Sequence, residues 1–325
     1  MRCFIRKMKR EYSAHARVTR SIIYGQAITW ITRRCSEEKT MSIITSIFQA
    51  ILQAISFIIP ISESGHSAIY HDFAGKADGT VAALTGVIHI GIALGIFAAM
   101  LKLCLRMGKE LGRCVGDVIH KEFTLRNVSP ARKFLLFLML SFAPMLVWLI
   151  PVNHNFLYEF LRSFGFNNTL LDEGLFFAVN GALIVFAAKQ LSLGRNRNPV
   201  TLSAVLFAAV MAVALVPLPG LTLIGGVFAS LVLFGTSQKQ AFNFAMLMSI
   251  PVLLGSGIAE LATAAKGVGA VQAIIGIVLS AVFAFLTTRV LKFLITKNYI
   301  RYVAYYDLFV GAIVTVIGIV QLIVR

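Results

Sequence analysis

The chain has 325 residues, of which 58% are hydrophobic and 14% charged, and its mean hydropathy is +0.82. Soluble domains run nearer about 45–50% apolar and about 25% charged. These shifts exclude a soluble enzyme, a disordered chain and a DNA-binding domain, and they indicate an all-α polytopic membrane protein. The net charge of +16 would suggest nucleic acid in a soluble chain. Here no basic stretch is interleaved with aromatics, and basic loops that set topology and touch anionic headgroups account for the charge. The expected partner is the lipid bilayer, with no nucleic acid.

Residues 1–40 differ from the rest. They carry ten Lys/Arg and three acids, and they lack a long apolar run. Ser21–Thr32 is their most apolar stretch, too short and mixed to span, and no signal-peptide pattern follows it. Residues 1–40 read as a basic N-terminal extension outside the fold. Residues 41–325 read as one integral-membrane domain, with a first half over about 41–190 and a second over about 191–325. The cysteines Cys3, Cys35, Cys104 and Cys114 form no CxxC pair and imply neither a disulfide framework nor a zinc site.

Apolar runs mark the membrane elements in chain order: Ile43–Ile59, the short polar Ser64–Ala74, Ala82–Leu105, Lys133–Val152, Gly174–Ala188, Leu202–Val216, the short Thr222–Phe234, Ala241–Leu261, Val271–Thr287 and Val303–Val324. Two places break the pattern. Phe57–Gly75 reads FIIPISESGHSAIYHDFAG and Val216–Gly235 reads VPLPGLTLIGGVFASLVLFG. Each combines a proline, a polar or Gly-rich turn and a helix too short to span. That is the signature of a re-entrant hairpin, which is tolerated where it is buried or lines a wet cavity. Pro60 and Pro219 lie 159 residues apart, and Gly75 and Gly235 lie 160 apart. Matching broken elements in two halves predict an internal repeat with a site at its interface.

Charge orients the repeat. Lys102–Lys133 holds eight Lys/Arg and three acids, which places that loop inside. Counting spans then puts Lys189–Arg197 and Arg289–Arg301, both basic, on the same side. The first hairpin opens from outside and the second from inside, which makes the repeat an inverted one. Met41 then lies outside, where a +7 tail opposes the positive-inside rule.

Polar side chains inside an apolar body are costly and informative. Glu63, Asp72, Glu260 and Asp307 lie in or near the runs, with His66 and His89 as imidazoles. Ser62, Glu63, Ser64, Gly65 and His66 form one cluster at the first turn. A hydroxyl, a carboxylate and an imidazole there supply the types needed for a nucleophile, an acid/base and a metal ligand. Backbone N–H groups at the start of a short helix suit an anion. The plainer reading is that these groups satisfy the bend and each other. His89, alone on a span, reads as a hydrogen bonder between helices. Glu260, near a span end, reads as meeting water, and Asp307 reads equally as a pocket or an interfacial residue.

At this cluster the chain resembles the bacitracin-resistance family of undecaprenyl-diphosphatases. The family's first turn, Pro-x-Ser-Ser-Thr-Gly-His, is matched by Pro60, Ser62, Gly65 and His66. Its second motif, Pro-Gly-x-Ser-Arg-Ser-Gly, is matched by Pro219, Gly220 and Gly225. The resemblance covers about residues 41–325. It implies a multi-pass protein of the bacterial cytoplasmic (inner) membrane that dephosphorylates a polyprenyl diphosphate in cell-wall lipid-carrier recycling. It further implies Ser62 and His66 as catalytic residues; Glu63, which stands where the family has its second serine, is read from its own chemistry as the third. Gln53, Ser64, Gly65, Gly220, Thr222 and Gly225 would bind substrate, and Glu63 would hold Mg²⁺ or another divalent cation. A homodimer is allowed by the sequence and not read from it.

The departures from the family are chemical. Its paired glutamates fall at Gln53 and Phe57, or after a four-residue slip at Gln49 and Gln53. Its second-motif arginine falls at Leu223, flanked by Thr222 and Ile224. Gln cannot bind a cation as an anion or take a proton, and Leu offers no clamp for phosphate. The alternative is therefore a catalytically inactive polyprenyl-phosphate transporter or flippase, or a lipid-carrier binding protein. A partner-binding paralogue with an empty site is a third reading.

Overall fold

The computed structural model describes residues 43–324, apart from 75–78, 125, 127, 153–154, 158–168, 195, 197, 216–217 and 265–266. The N-terminal extension expected over residues 1–40 lies outside the described residues, as do Gly75, Arg195, Arg197 and Pro217.

The chain is all-α in class. Its helices are α1 (Ile43–Ile58), α2 (Glu63–Ala74), α3 (Gly79–Ala99), α4 (Leu101–Ile119), α5 (Pro130–Phe142), α6 (Leu171–Ser192), α7 (Leu202–Leu215), α8 (Leu223–Leu233), α9 (Gln238–Thr263), α10 (Ala270–Thr296) and α11 (Ile300–Val324). A 3₁₀ segment, Ala143–Leu149, continues α5, and a two-residue antiparallel pair joins Pro151–Val152 to Asn155–Phe156. Six of these segments are long and apolar enough to cross a membrane: Ala82–Ala99, Pro130–Trp148, Leu171–Ser192, Gln238–Thr263, Ala270–Thr296 and Ile300–Val324.

Two expected spans change shape. Ala82–Leu105 is not one helix. It ends at Ala99, and α4 begins after Met100 with φ −110° and ψ 18°. The basic loop after it is therefore largely helical. α4 buries Met107 and Cys114 against Leu135 of α5 and Leu247 of α9, and it carries Lys102, Arg106, Lys109 and Arg113. Lys133–Val152 turns 3₁₀ at Ala143, where Pro144 has no N–H to give an α-helical bond.

One short helix follows each turn. α2 has 12 residues and α8 has 11, about 16–18 Å at 1.5 Å per residue and roughly half of a 30 Å hydrocarbon core. Leu223 to Val232 are buried without a break, so α8 is enclosed by protein on every face. The helix pairings correspond. α10 packs on α1 and α3, while α5 packs on α7 and α9. α3 against α9 and α6 against α11 form the two central seams.

Small residues close these seams. A Cβ on Gly86 would lie 2.7 Å from the Gly257 carbonyl oxygen, and one on Gly257 would lie 2.7 Å from that of Gly86. In the other seam a Cβ on Gly311 would lie 2.7 Å from the Ala178 nitrogen. Lipid tails are as apolar as the side chains they would replace, so close backbone packing holds such helices together.

Asn180 on α6 joins the halves. Its Nδ2 donates to the Pro60 carbonyl (2.9 Å) and to Asp307 Oδ2 (2.6 Å). Its Oδ1 accepts from Thr222 N (3.2 Å) and Thr222 Oγ1 (2.8 Å). Asn180 and Asp307 are both 0% exposed, so these bonds tie both turns and α11 to one amide.

Two stability predictions follow from this packing. Asn180→Ala strands the Thr222 donors, the Pro60 carbonyl and the Asp307 carboxylate. At about 1–3 kcal/mol for each buried unsatisfied group, the expected outcome is a marked fall in Tm in detergent. Asn180→Asp should not rescue it, since that variant loses both Nδ2 donors and faces Asp307 with a second carboxylate. A wild-type Tm in Asn180→Ala would overturn the role given to this amide. Gly311→Val should cost about 1–3 kcal/mol by overpacking, because its Cβ meets backbone rather than a movable side chain, and unchanged thermal unfolding would contradict that.

Candidate active site

Ser62 caps α2. Its φ is +66°, in the left-handed region that favours glycine, and its Oγ accepts from Gly65 N at 3.1 Å. A Cβ on Gly65 would come 2.5 Å from the buried Phe177 ring, which is why the third residue of this helix has no side chain. Glu63 occupies the first turn of α2, where the positive end of the helix dipole favours its charge. At the second turn Gly220 has φ +95°, and Thr222 precedes α8 in extended conformation. A Cβ on Gly225 would lie 2.7 Å from the Pro60 ring and 2.3 Å from Thr222 Oγ1, so the two turns touch.

Beside them is a cavity of about 180 Å³. Its apolar wall includes Phe142, Leu146, Trp148, Leu215, Leu223 and Val252. Its polar end is formed by Glu63 and Ser64 of α2, His89 of α3, Thr222, and Ser256 and Glu260 of α9. His89 Nδ1 meets Glu260 Oε2 at 2.9 Å and lies 3.2 Å from Ser256 Oγ. Its Nε2 is 3.8 Å from Glu63 Oε2, and Ser67 Oγ donates to Glu63 Oε1 at 3.2 Å.

The expected site residues divide between wall and interior. Glu63, Ser64 and Thr222 reach the cavity, whereas Ser62, His66, Gln53, Gly65, Gly220 and Gly225 do not line it. Ser62 is fully buried, with its Oγ 3.4 Å from that of Ser64. His66 turns toward α6 and α11. Its Nδ1 is 2.8 Å from the Ser62 carbonyl, its Nε2 is 2.8 Å from the Tyr306 hydroxyl, and its ring stacks on Tyr306 and meets Phe177 edge-on. Gln53 Nε2 donates to Gln49 Oε1 (3.0 Å) and Thr85 Oγ1 (3.3 Å). Some amides expected to cradle an anion are already committed, Gly65 N to Ser62 Oγ and Thr222 N to Asn180.

Two readings from sequence need correction. Glu260 does not simply meet water near a helix end; it ion-pairs with the buried His89 on the cavity wall. His89 bonds between helices as expected, and it is also a cavity residue. Asp307 is buried and held by Asn180, which makes it neither interfacial nor cavity-lining. Asn180, Ser256 and Glu173 gave no signal in sequence. Glu173 is a buried carboxylate in the first turn of α6, which starts three residues before the apolar run.

For the divalent cation expected at Glu63, the cavity supplies the carboxylates of Glu63 and Glu260. Among the described residues no three His, Cys, Asp or Glu side chains are grouped to hold a metal ion. The two cavity carboxylates flank an imidazole rather than face a common point.

The positions of the missing family groups are nonetheless informative. Phe57, where a family glutamate falls, and Leu223, where the arginine falls, both line the cavity. The family described as "Bacitracin resistance protein BacA" matches residues 46–313. The undecaprenyl-diphosphatase of Alkaliphilus metalliredigens is 25% identical over 286 residues, covering 84% of this chain and 98% of that protein. That of Methanosphaera stadtmanae is 24% identical over 288 residues, covering 86% and 99%. That of Acinetobacter baumannii strain AYE is 23% identical over 290 residues, covering 86% and 96%. With its paired turns touching beside one cavity and the match running through most of its length, the chain belongs to the bacitracin resistance protein BacA family.

Proposed function

We propose that this chain is an undecaprenyl-diphosphatase of the bacterial cytoplasmic membrane, acting on a polyprenyl diphosphate in cell-wall lipid-carrier recycling. The observation that carries this reading is the cavity. Residues of both motif turns line it, beside a largely apolar wall. An amphipathic lipid matches that division, with its headgroup at Glu63, Ser64, His89 and Thr222 and its isoprenoid along Leu146, Leu215 and Val252. The relatives named undecaprenyl-diphosphatase, spanned almost end to end, supply the reaction class.

In this reading water or the Ser62 hydroxyl attacks the terminal phosphorus. The bridging P–O bond breaks, leaving lipid monophosphate and, after hydrolysis of any phosphoserine, inorganic phosphate. Ser62 stands one hydroxyl behind Ser64 on the wall. His66 is the proton carrier of the family pattern, and to act on the headgroup it must give up its bond to Tyr306. Gly65, Gly220 and Gly225 serve by letting the two turns come together, and Thr222 by anchoring the second turn to Asn180.

The test is phosphate release from undecaprenyl diphosphate by the purified full chain in detergent with Mg²⁺ supplied. Release by the wild type is expected, with Glu63→Gln and His66→Ala each lowered by about 10²–10³, the usual cost of one transition-state partner. Wild-type release no greater than that of both variants would sink the reading.

The charge pattern also gives a topology, in which the first turn opens to the outside through a re-entrant α1–α2 pair. Ser64→Cys, on the cavity wall, should be labelled by an impermeant maleimide from the outer face of oriented vesicles. Labelling only from the cytoplasmic face would reverse that topology.

A further inference from the structure

Two carboxylates, Glu63 and Glu260, reach the cavity, and among its described lining residues no lysine or arginine does. A phosphate entering there meets net negative charge unless a basic group faces it. His89 is the one basic side chain on that wall. It is 7% exposed, and its Nε2 is buried without a hydrogen-bond partner. The nearest acceptor of opposite charge, Glu63 Oε2, is at 3.8 Å, beyond hydrogen-bond reach. The other nitrogen, Nδ1, is hydrogen-bonded with Ser256 Oγ at 3.2 Å and ion-paired with Glu260 Oε2 at 2.9 Å.

We propose that His89, oriented by Glu260, is the side chain that receives the lipid's phosphate in this cavity, in the place left by leucine at position 223. The argument rests on the lipid-phosphate reading above and adds a residue outside both motif turns. A carboxylate on Nδ1 selects the Nδ1–H form, sets the ring's direction and supports the imidazolium, which donates from both nitrogens. Nε2–H then points at the headgroup. A charge-assisted bond to phosphate of this kind is roughly twice as strong as a neutral one. Leu223 faces the same cavity and offers no donor, so the cation of the site comes from α3 rather than from α8. Glu260 acts through His89 and is a positioning residue.

The experiment is a binding titration of the full chain in nanodiscs with undecaprenyl monophosphate, which cannot be confounded by turnover at a diphosphate. His89→Gln should weaken binding about tenfold or more, the equivalent of one charge-assisted bond. Glu260→Ala should weaken it through His89, with partial rescue in Glu260→Gln, whose carbonyl still accepts from Nδ1. The double variant His89→Gln/Glu260→Gln should bind no better than His89→Gln. Recovery of affinity in the double variant would mean that His89 only neutralises Glu260, and wild-type affinity in His89→Gln would remove it from the site; either overturns the proposal.

A second measurement needs no variant. The ¹⁵N resonance of the His89 Nε2–H should shift on addition of undecaprenyl monophosphate and not of undecaprenol. An equal response to both lipids would also overturn the proposal. Wild-type protein that binds the monophosphate through His89 yet releases no phosphate from the diphosphate would end the phosphatase reading and leave this one standing. Protein that binds neither lipid would end both.

Discussion

One buried amide holds the two turns in register. Asn180 has two N–H donors and two acceptor lone pairs, and all four are used, on Pro60, Asp307 and both donors of Thr222. A hydrogen bond contributes little net stability where water competes for the same groups, but a buried group left unpaired is costly. The arrangement is therefore all or nothing. If either turn shifts, several polar groups are stranded at once. Everything the cavity requires, including the approach of Gly225 to Pro60 and the exposure of Ser64 and Thr222 on one wall, depends on the turns staying where Asn180 puts them.

That constraint explains how the chemistry can differ from the family pattern while the scaffold persists. The tie between the turns uses Pro60, Thr222, Asn180 and Asp307; of these Thr222 stands where the family motif has a serine, and it keeps the hydroxyl that bonds Asn180. Phe57 and Leu223 line the cavity and take no part in that tie. Phe57 lies beside His89, with ring centroids 6.3 Å apart, so an aromatic stands next to an imidazole whose carboxylate neighbours come from α2 and α9. This chain carries its cavity carboxylates on α2 and α9 rather than on α1.

Much of the architecture was legible because bilayer burial is written locally. The apolar runs located the helices, and Pro60, Pro219 and the residues after them located both turns. The pairing of α10 with α1 and α3 has a counterpart in that of α5 with α7 and α9, the arrangement expected of a repeat with a spacing of 159–160 residues. Helix phase was not legible. In a run that is apolar all round, nothing in the sequence says which face meets protein, so His89 could not be told from a packing residue. Glu260 was misread for the same reason, since its partner lies 171 positions away. Asn180 gave no sign because one amide in a span is an ordinary helix–helix hydrogen bonder until its four partners are known. The arrangement inside the turn cluster was not legible either. Ser62 and His66 match the motif, yet the sequence does not show that one is a helix cap and the other faces Tyr306.

The electrostatics of the cavity then narrow what it can hold. A site with two carboxylates and no Arg or Lys on its described wall is a poor receptor for a bare dianion. Salt does little to screen charges enclosed this way. With Glu260 ion-paired to His89, the local charge falls to that of Glu63 alone, which is partly stabilised by the start of α2 and by Ser67. A headgroup phosphate would approach the unpartnered Nε2 while its lipid occupied the apolar wall. Binding energy would then come mostly from the isoprenoid, at roughly 25 cal/mol for each Å² of apolar surface covered. The polar end would decide position more than affinity. A phosphatase built this way would hold its lipid firmly and its reacting phosphate loosely. It would therefore be limited by the chemical step and depend strongly on whatever fixes the headgroup, which is why the orientation of one imidazole carries so much of the site's behaviour.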